Sequence, residues 1–238
     1  MESVRSIAET CLGRTGTLSV KRHVMGVYGA DNPRDRSLRR QLNLIQNRPF
    51  VRVALVTIRP LNSTQGQIGT LQTDLDNANT VYQNECNAWV YPTGSRVVNT
   101  NLLGANGRLN QNDCAASGHN VSGEEDTLFD LGRDMGADVV CYYIAGDVAG
   151  FAGCAAHPPG RRGFWVGNTA SPWTFAHELT HVVGDNPHPG NDSQIPNNDN
   201  NNLMWTPTGG PNGIQNLPPD LRQVQCDRIL DDPDMETC

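Results

Sequence analysis

The chain has 238 residues, a formal net charge of −7 and a hydrophobic fraction of 37%. This length suits one large domain or two lobes around a cleft, and it is sufficient to bury a sizeable core. The negative charge argues against nucleic acid as a partner, and no apolar run approaches the roughly 18 residues that a membrane-spanning helix needs.

Hydrophobic periodicity predicts alternating strands and helices between residues 46 and 184. In chain order they are a central strand at 50–58, an amphipathic helix at 70–86, a strand at 88–98 interrupted near Pro92, a helix at 127–135, a buried strand at 137–145 and a short strand at 163–167. The first three favour a right-handed β-α-β unit. Residues 99–123 and 146–163 are rich in glycine or asparagine and are predicted loops, so the expected fold class is α/β.

The seven cysteines indicate disulfide bonds, because none of them lie at a Cys-x-x-Cys spacing. Such cysteine usage favours a secreted protein, although the first residues lack the apolar core of a signal peptide. Proximity in the sequence predicts three pairs: Cys86 with Cys114, Cys141 with Cys154, and Cys226 with Cys238.

The chemistry of the chain centres on the sequence His-Glu-Leu-Thr-His, which begins at His177. On a helix, a spacing of four residues places the imidazoles of His177 and His181 on one face, where both can bind one Zn²⁺. Glu178 is offset by about 100° on the same helix. Its carboxylate can therefore reach a metal-bound water without ligating the metal, as the general base of a metallohydrolase does.

The flanks of the motif predict where this helix begins and ends. Ser171 is a candidate N-cap with Pro172 at the first helical position, and Gly184 can end the helix in a left-handed turn. A third metal ligand is expected from the segment after Gly184. His188 is the favoured residue, and Asp185 or Asp192 are the alternatives.

These motifs resemble the metzincin clan of zinc endopeptidases. The clan pattern is His-Glu-x-x-His-x-x-Gly-x-x-His, followed later by a methionine in a tight turn beneath the metal. The chain matches the pattern through Gly184, and its Asn202-Leu203-Met204-Trp205 sequence is similar to the methionine turn. It departs from the pattern at Pro187, which stands where the clan has its third histidine, so that His188 comes one residue late.

The resemblance implies a two-lobed α/β (α+β) catalytic domain over residues 46–238. Its upper lobe, 46–184, would hold a twisted mixed sheet and two long helices. Its lower lobe, 185–238, would be small and irregular and would end in a helix. No membrane span is expected, and a monomer is the expected state.

The resemblance also implies the reaction, which is hydrolysis of peptide bonds in a protein or peptide substrate. Zn²⁺ would lie on His177, His181 and His188 and would activate a water. Glu178 would act as general base and then as general acid, and Met204 would pack beneath the metal.

The strand at 163–167 is a candidate for substrate binding. In metzincins the edge strand above the cleft pairs with the backbone of an extended substrate, and this strand would present Phe164, Trp165 and Val166. The alternative is an ordinary strand whose aromatic side chains fill the core.

Residues 1–45 contain Cys11, which stands apart from the other cysteines. One hypothesis makes this segment a pro-segment in which Cys11 is a switch cysteine that binds the zinc until the segment is removed. The favoured interpretation is that Cys11 pairs with another cysteine, because no switch motif surrounds it.

Three further alternatives remain open. Oxygen ligands such as Asp192 and Asp199 can bind Ca²⁺, although a solvated loop is favoured there. A second alternative is a zinc-dependent hydrolase that acts on a non-peptide amide. A third alternative is a non-catalytic zinc-bearing toxin or binding module. The presence of Glu178 argues against it.

Overall fold

The structure is a computed structural model that describes residues 48–59, 71–102, 109, 123–144, 152–155, 162–168, 170–205 and 218–237. The chain divides into two compact units, one of Val51–Met235 and one of Met1–Phe50 with Glu236–Cys238. The candidate pro-segment and Cys11 lie outside the described residues. Within those residues, no helix has the length and apolar character needed to cross a membrane.

The described residues form strands and helices in the alternating order that the sequence predicts. The strands are β1 (Pro49–Arg59), β2 (Trp89–Asn99), β3 (Val139–Tyr143), β4 (Gly153–Ala155), β5 (Gly163–Val166) and β6 (Glu236–Thr237). The α-helices are α1 (Leu71–Cys86), α2 (Gly123–Asp130), α3 (Thr174–Val182) and α4 (Gln223–Leu230), and short 3-10 helices occupy Arg133–Met135 and Pro189–Asn191.

The strands form one mixed sheet in the order β2-β1-β3-β5-β4, with β6 paired to the start of β1. β3 is parallel to both β1 and β5, whereas β4 is antiparallel to β5. The predicted α/β class with a mixed sheet is therefore confirmed.

Both faces of the sheet are covered by apolar side chains. Val53 and Leu55 of β1 pack in the core shared with α1, α3 and α4, whereas Ala54 and Val56 pack in the second core with α2. Alternate residues of a strand point to opposite faces, so a strand covered on both faces needs a nearly continuous apolar run. This requirement explains the apolar sequence of β1.

Two strand predictions differ from the structure. β2 continues through Pro92 without interruption; among the described strands it lies at one end of the sheet, where a proline needs no ladder partner on its outer side. β4 falls in a stretch that was expected to be a glycine-rich loop, because its three residues are too few to show a period-two pattern.

The predicted disulfide pairs are wrong where the structure tests them. Cys86 at the end of α1 is bonded to Cys226 of α4, across a sequence separation of 140 residues. Cys141 is a free, buried thiol on the central strand β3, whereas Cys154 is disulfide-bonded. Proximity in the sequence failed because the fold brings together helices that are distant along the chain.

Replacing Cys86 and Cys226 together by alanine is expected to lower the free energy of unfolding by about 2–5 kcal/mol, since the bond closes a long loop in the unfolded chain. Urea unfolding under non-reducing conditions measures the change. Cys141→Ala is the control, because it removes a buried sulfur without opening a covalent link. An equal loss in this control would contradict the cross-link as the cause.

Candidate metal centre

The two motif histidines lie on α3, a nine-residue helix that begins at Thr174. The expected N-cap at Ser171 is wrong by two positions, because Trp173 is the N-cap. Ser171 instead forms a turn with Thr174, in which the Ser171 backbone N–H donates to Thr174 Oγ1 at 2.9 Å. The helix is fixed to α1 by a buried hydrogen bond of 3.0 Å between the hydroxyls of Tyr82 and Thr180.

Three imidazoles converge at the end of this helix. His177 Nε2 and His181 Nε2 are 3.2 Å apart. His188 Nε2 lies 3.0 Å from His181 Nε2 and 3.2 Å from His177 Nε2. Zn–N bonds of about 2.0–2.1 Å at tetrahedral angles place their nitrogens roughly 3.3 Å apart, so the three side chains fit a zinc ion.

Backbone carbonyls hold two of these rings in the orientation that a metal requires. His177 Nδ1 lies 2.7 Å from the carbonyl oxygen of Leu203, and His181 Nδ1 lies 2.7 Å from that of Asn186. A carbonyl can only accept, so each Nδ1 carries the hydrogen and each Nε2 presents its lone pair. This outer contact is typical of metal-binding histidines.

The turn after α3 explains how His188 reaches the group although it comes one residue later than in the clan pattern. Gly184 has a φ of 92° and Asp185 a φ of 48°, so two successive residues with positive φ reverse the chain. A Cβ at Gly184 would lie 2.8 Å from the backbone carbon of Arg228 on α4. Glycine is therefore required both by the φ angle and by the close approach.

The alternative third ligands do not join the group. Asp185 is exposed, and Asp192 Oδ2 lies 2.5 Å from Arg228 Nη1, a contact that holds the pKa of Asp192 below its usual range. Within the described ranges, the three histidines are the only group of three or more His, Cys, Asp or Glu side chains close enough to share an ion.

The calcium hypothesis finds no support in the described part of the loop. Asp192 and Asp199 each form an ion pair with an arginine, Arg228 and Arg222 respectively. Their charge is thus balanced within the protein.

Glu178 is buried on α3, directly after His177 in the chain. Burial raises the pKa of Glu178 to about 8, and the carboxylate of Glu125 adds to the rise. A dication on the histidines would act in the opposite direction, because positive charge favours the ionised carboxylate. Glu125 itself is buried and accepts a hydrogen bond of 3.0 Å from the indole nitrogen of Trp165.

The residues expected to bind substrate on the strand at 163–167 are instead in the core. β5 pairs with β3 on one side and with β4 on the other, and Phe164, Trp165 and Val166 are buried. The expectation of an edge strand is therefore wrong, and the alternative interpretation as a core strand is correct. Among the described strands, β4 lies at this end of the sheet.

Met204 is completely buried and follows the residue whose carbonyl contacts His177. Its backbone N–H donates to the Asn202 side chain at 3.0 Å. The Asn202–Trp205 segment forms a hydrogen-bonded turn, with the Trp205 N–H donating to the Asn202 carbonyl at 2.9 Å. The segment predicted to be a methionine turn is thus a tight turn next to the histidines.

A scan against protein-family models finds no match, and a search of the curated proteins finds none either. Among solved structures, metalloproteinase-II from Bacteroides fragilis has a TM-score of 0.50 at 15% identity, over 76% of this chain and 52% of that chain. Archaemetzincin from Methanopyrus kandleri has a TM-score of 0.44 at 15% identity, over 76% of this chain and 93% of that chain.

A third structure, a chaperone-substrate complex, has a TM-score of 0.45 at 15% identity and covers 62% of this chain. The chain spans 25% of the length of that protein and 52% of the Bacteroides metalloproteinase. At these identities, the similarity to the Bacteroides protein shows a shared α/β fold.

His188→Ala is expected to weaken zinc binding by more than about 100-fold, which exceeds the loss typical of an outer contact, because it removes one of three ligand atoms. Competition with a chromophoric chelator measures the affinity. Asp185→Asn is the matched control, since asparagine tolerates the positive φ and removes the alternative carboxylate. Unchanged zinc affinity in His188→Ala would contradict the assigned ligand.

Proposed function

We propose that residues 46–238 are the catalytic domain of a metzincin-like zinc endopeptidase. The observation that supports this most is the convergence of His177, His181 and His188, with a buried glutamate, Glu178, on the helix that carries the first two. A purely structural zinc site needs no carboxylate that stands next to the metal without binding it. The fold shared with a metalloproteinase agrees with the proposal.

When bound, Zn²⁺ supplies a Lewis acid that lowers the pKa of a water and polarises the scissile carbonyl. Glu178 accepts the proton of the attacking water and passes it to the nitrogen of the leaving amine. His177 and His181 keep their Nε2 atoms directed at the site because carbonyl oxygens accept their Nδ1 hydrogens. Met204 packs beneath the histidines and takes no part in proton transfer.

The substrate is an extended segment of protein that adds to the sheet beside β4. Among the described strands β4 lies at the end of the sheet, and a Cβ added at Gly153 of this strand would lie 2.8 Å from Glu178 Oε1. An added strand gains main-chain hydrogen bonds that are independent of its sequence. The Cys86–Cys226 bond and the second disulfide, at Cys154, are consistent with an extracellular enzyme.

Glu178→Gln is expected to reduce cleavage of an unfolded protein such as casein by at least about 100-fold while zinc content is unchanged, because the amide cannot accept the proton. Zinc content by atomic absorption and release of peptides are measured on the same sample. Substantial turnover in this variant would contradict the role of Glu178.

The unaltered chain serves as the reference in that experiment. One bound zinc without cleavage of protein or small amides would favour a binding or toxin module. Cleavage of small amides alone would favour a hydrolase of non-peptide substrates.

Gly153→Ala is expected to lower kcat by about 10- to 100-fold without loss of zinc, since a displaced base reacts poorly. The added Cβ would lie 2.8 Å from Glu178 Oε1 and 2.7 Å from Thr174 Cγ2. Gly190→Ala is the control, because its Cβ would meet no atom within 4 Å.

The additional change Thr174→Ser removes the contacting methyl group and leaves the Glu178 contact in place. If the double variant regained full kcat, displacement of Glu178 would not be the cause of the loss.

A further inference from the structure

Two backbone carbonyls orient the metal ligands. Three buried amide side chains connect both of these carbonyls to a single helix. Asn186, Asn202 and Gln225 are each fully buried. The first belongs to the turn after α3, the second opens the tight turn that holds Met204, and the third lies on α4. We call these residues the amide triad. Buried amides are retained at little cost only when their donors and acceptors are satisfied.

Gln225 and Asn202 form a reciprocal pair. Asn202 Nδ2 donates to Gln225 Oε1 at 2.8 Å, and Gln225 Nε2 donates to Asn202 Oδ1 at 3.1 Å. The remaining acceptor positions are also used, because the Arg222 backbone N–H donates to Gln225 Oε1 and that of Met204 to Asn202 Oδ1. The pair is therefore fixed on both sides and holds the turn that presents the Leu203 carbonyl.

The connection to Asn186 runs through the backbone carbonyl of Gln225. Asn186 Nδ2 donates to the carbonyl oxygen of Gln225 at 3.3 Å, while the Asn186 carbonyl accepts from His181 Nδ1 at 2.7 Å. Gln225 thus contacts both segments whose carbonyls orient a metal ligand, His177 through Leu203 and His181 through Asn186. The histidines contact neither the side chain nor the backbone of Gln225 in any of these bonds.

We propose that Gln225 is a positioning residue for the metal centre: its side chain sets the orientation of His177 through Asn202, and its backbone carbonyl holds Asn186, whose own carbonyl contacts His181. This inference rests on the proposed function, because it presumes that the three histidines bind zinc. It adds a residue outside the His-Glu-x-x-His motif, on an element that follows the motif by some forty residues. Its helix carries Cys226, so the disulfide to Cys86 fixes the position next to Gln225.

The test is the zinc affinity of the full chain with Gln225→Met, which keeps the length of the side chain and removes its hydrogen bonds. The expected loss is about 10- to 100-fold, the range for an outer contact of a ligand histidine. Two controls lie on the same helix. Gln223→Met changes an exposed glutamine that bonds only to Asp227 in the described contacts, and Ile229→Val weakens the core without touching the triad.

A second readout is the visible absorption of the Co²⁺-substituted protein, which reports ligand geometry independently of catalysis. The spectrum is expected to change in Gln225→Met and to stay unchanged in both controls. Circular dichroism of each variant shows that the compared proteins are folded. If Gln225→Met does not fold, Gln225→Leu takes its place, because it is also apolar and also lacks both hydrogen-bonding groups.

The reciprocal pair also predicts how the effects of two substitutions combine. If Gln225 acts through Asn202, then adding Gln225→Met to Asn202→Ala should cost little more affinity than Asn202→Ala alone, since both changes break one connection. Fully additive losses would overturn the proposed route.

The possible outcomes distinguish a failure of the inference about Gln225 from a failure of the proposed function. A wild-type chain that binds zinc tightly, with Gln225→Met binding it equally well, overturns the role of Gln225 and leaves the proposed function standing. A loss in Ile229→Val as large as in Gln225→Met overturns it too, because stability would then explain both. A wild-type chain that binds no zinc overturns the proposed function, and the inference with it.

Discussion

The close approach of three imidazole nitrogens is the constraint on which the rest of the site depends. Nε2 atoms held 3.0–3.2 Å apart with lone pairs facing one another repel unless a cation lies between them. The protein must therefore hold the rings together by contacts elsewhere. It does so with carbonyl oxygens on two different segments, each of which contacts the same helix, α4.

The core explains why those segments are rigid enough. The helix α3 is buried along most of its length against the sheet, and its end packs on the backbone of α4 at Gly184. Because α4 is bonded through Cys226 to the end of α1, two of the three helices on this face of the sheet are linked covalently. The histidines of α3 are thus fixed by the same packing that forms the larger core.

Sequence patterns predicted the parts of the site that depend on local geometry. A helix alone is enough to place His177 and His181 on one face, and a turn alone accounts for Gly184. The predicted helix and the predicted turn are therefore both observed. The apolar run of β1 likewise shows a strand covered on both faces. By contrast, the Cys86–Cys226 bond, the order of β4 and β5 and the amide triad depend on which distant segments meet, and no local pattern carries that information. A signal for Asn202 did exist, since it is the first residue of the predicted methionine turn.

The late position of His188 shows that three imidazoles can converge although the segment between them has an extra residue. What the metal needs is the position of Nε2, and the backbone conformation between Gly184 and His188 determines that position as much as the number of residues does. Two successive residues of this segment, Gly184 and Asp185, have positive φ angles. The second of them is available to aspartate at modest cost, whereas β-branched residues rarely adopt it. The Asn186 carbonyl contacts His181 Nδ1, so the segment between Gly184 and His188 also orients the His181 ring. Pro187 follows with its φ restricted by the ring, which limits the conformations open to the segment just before the third ligand.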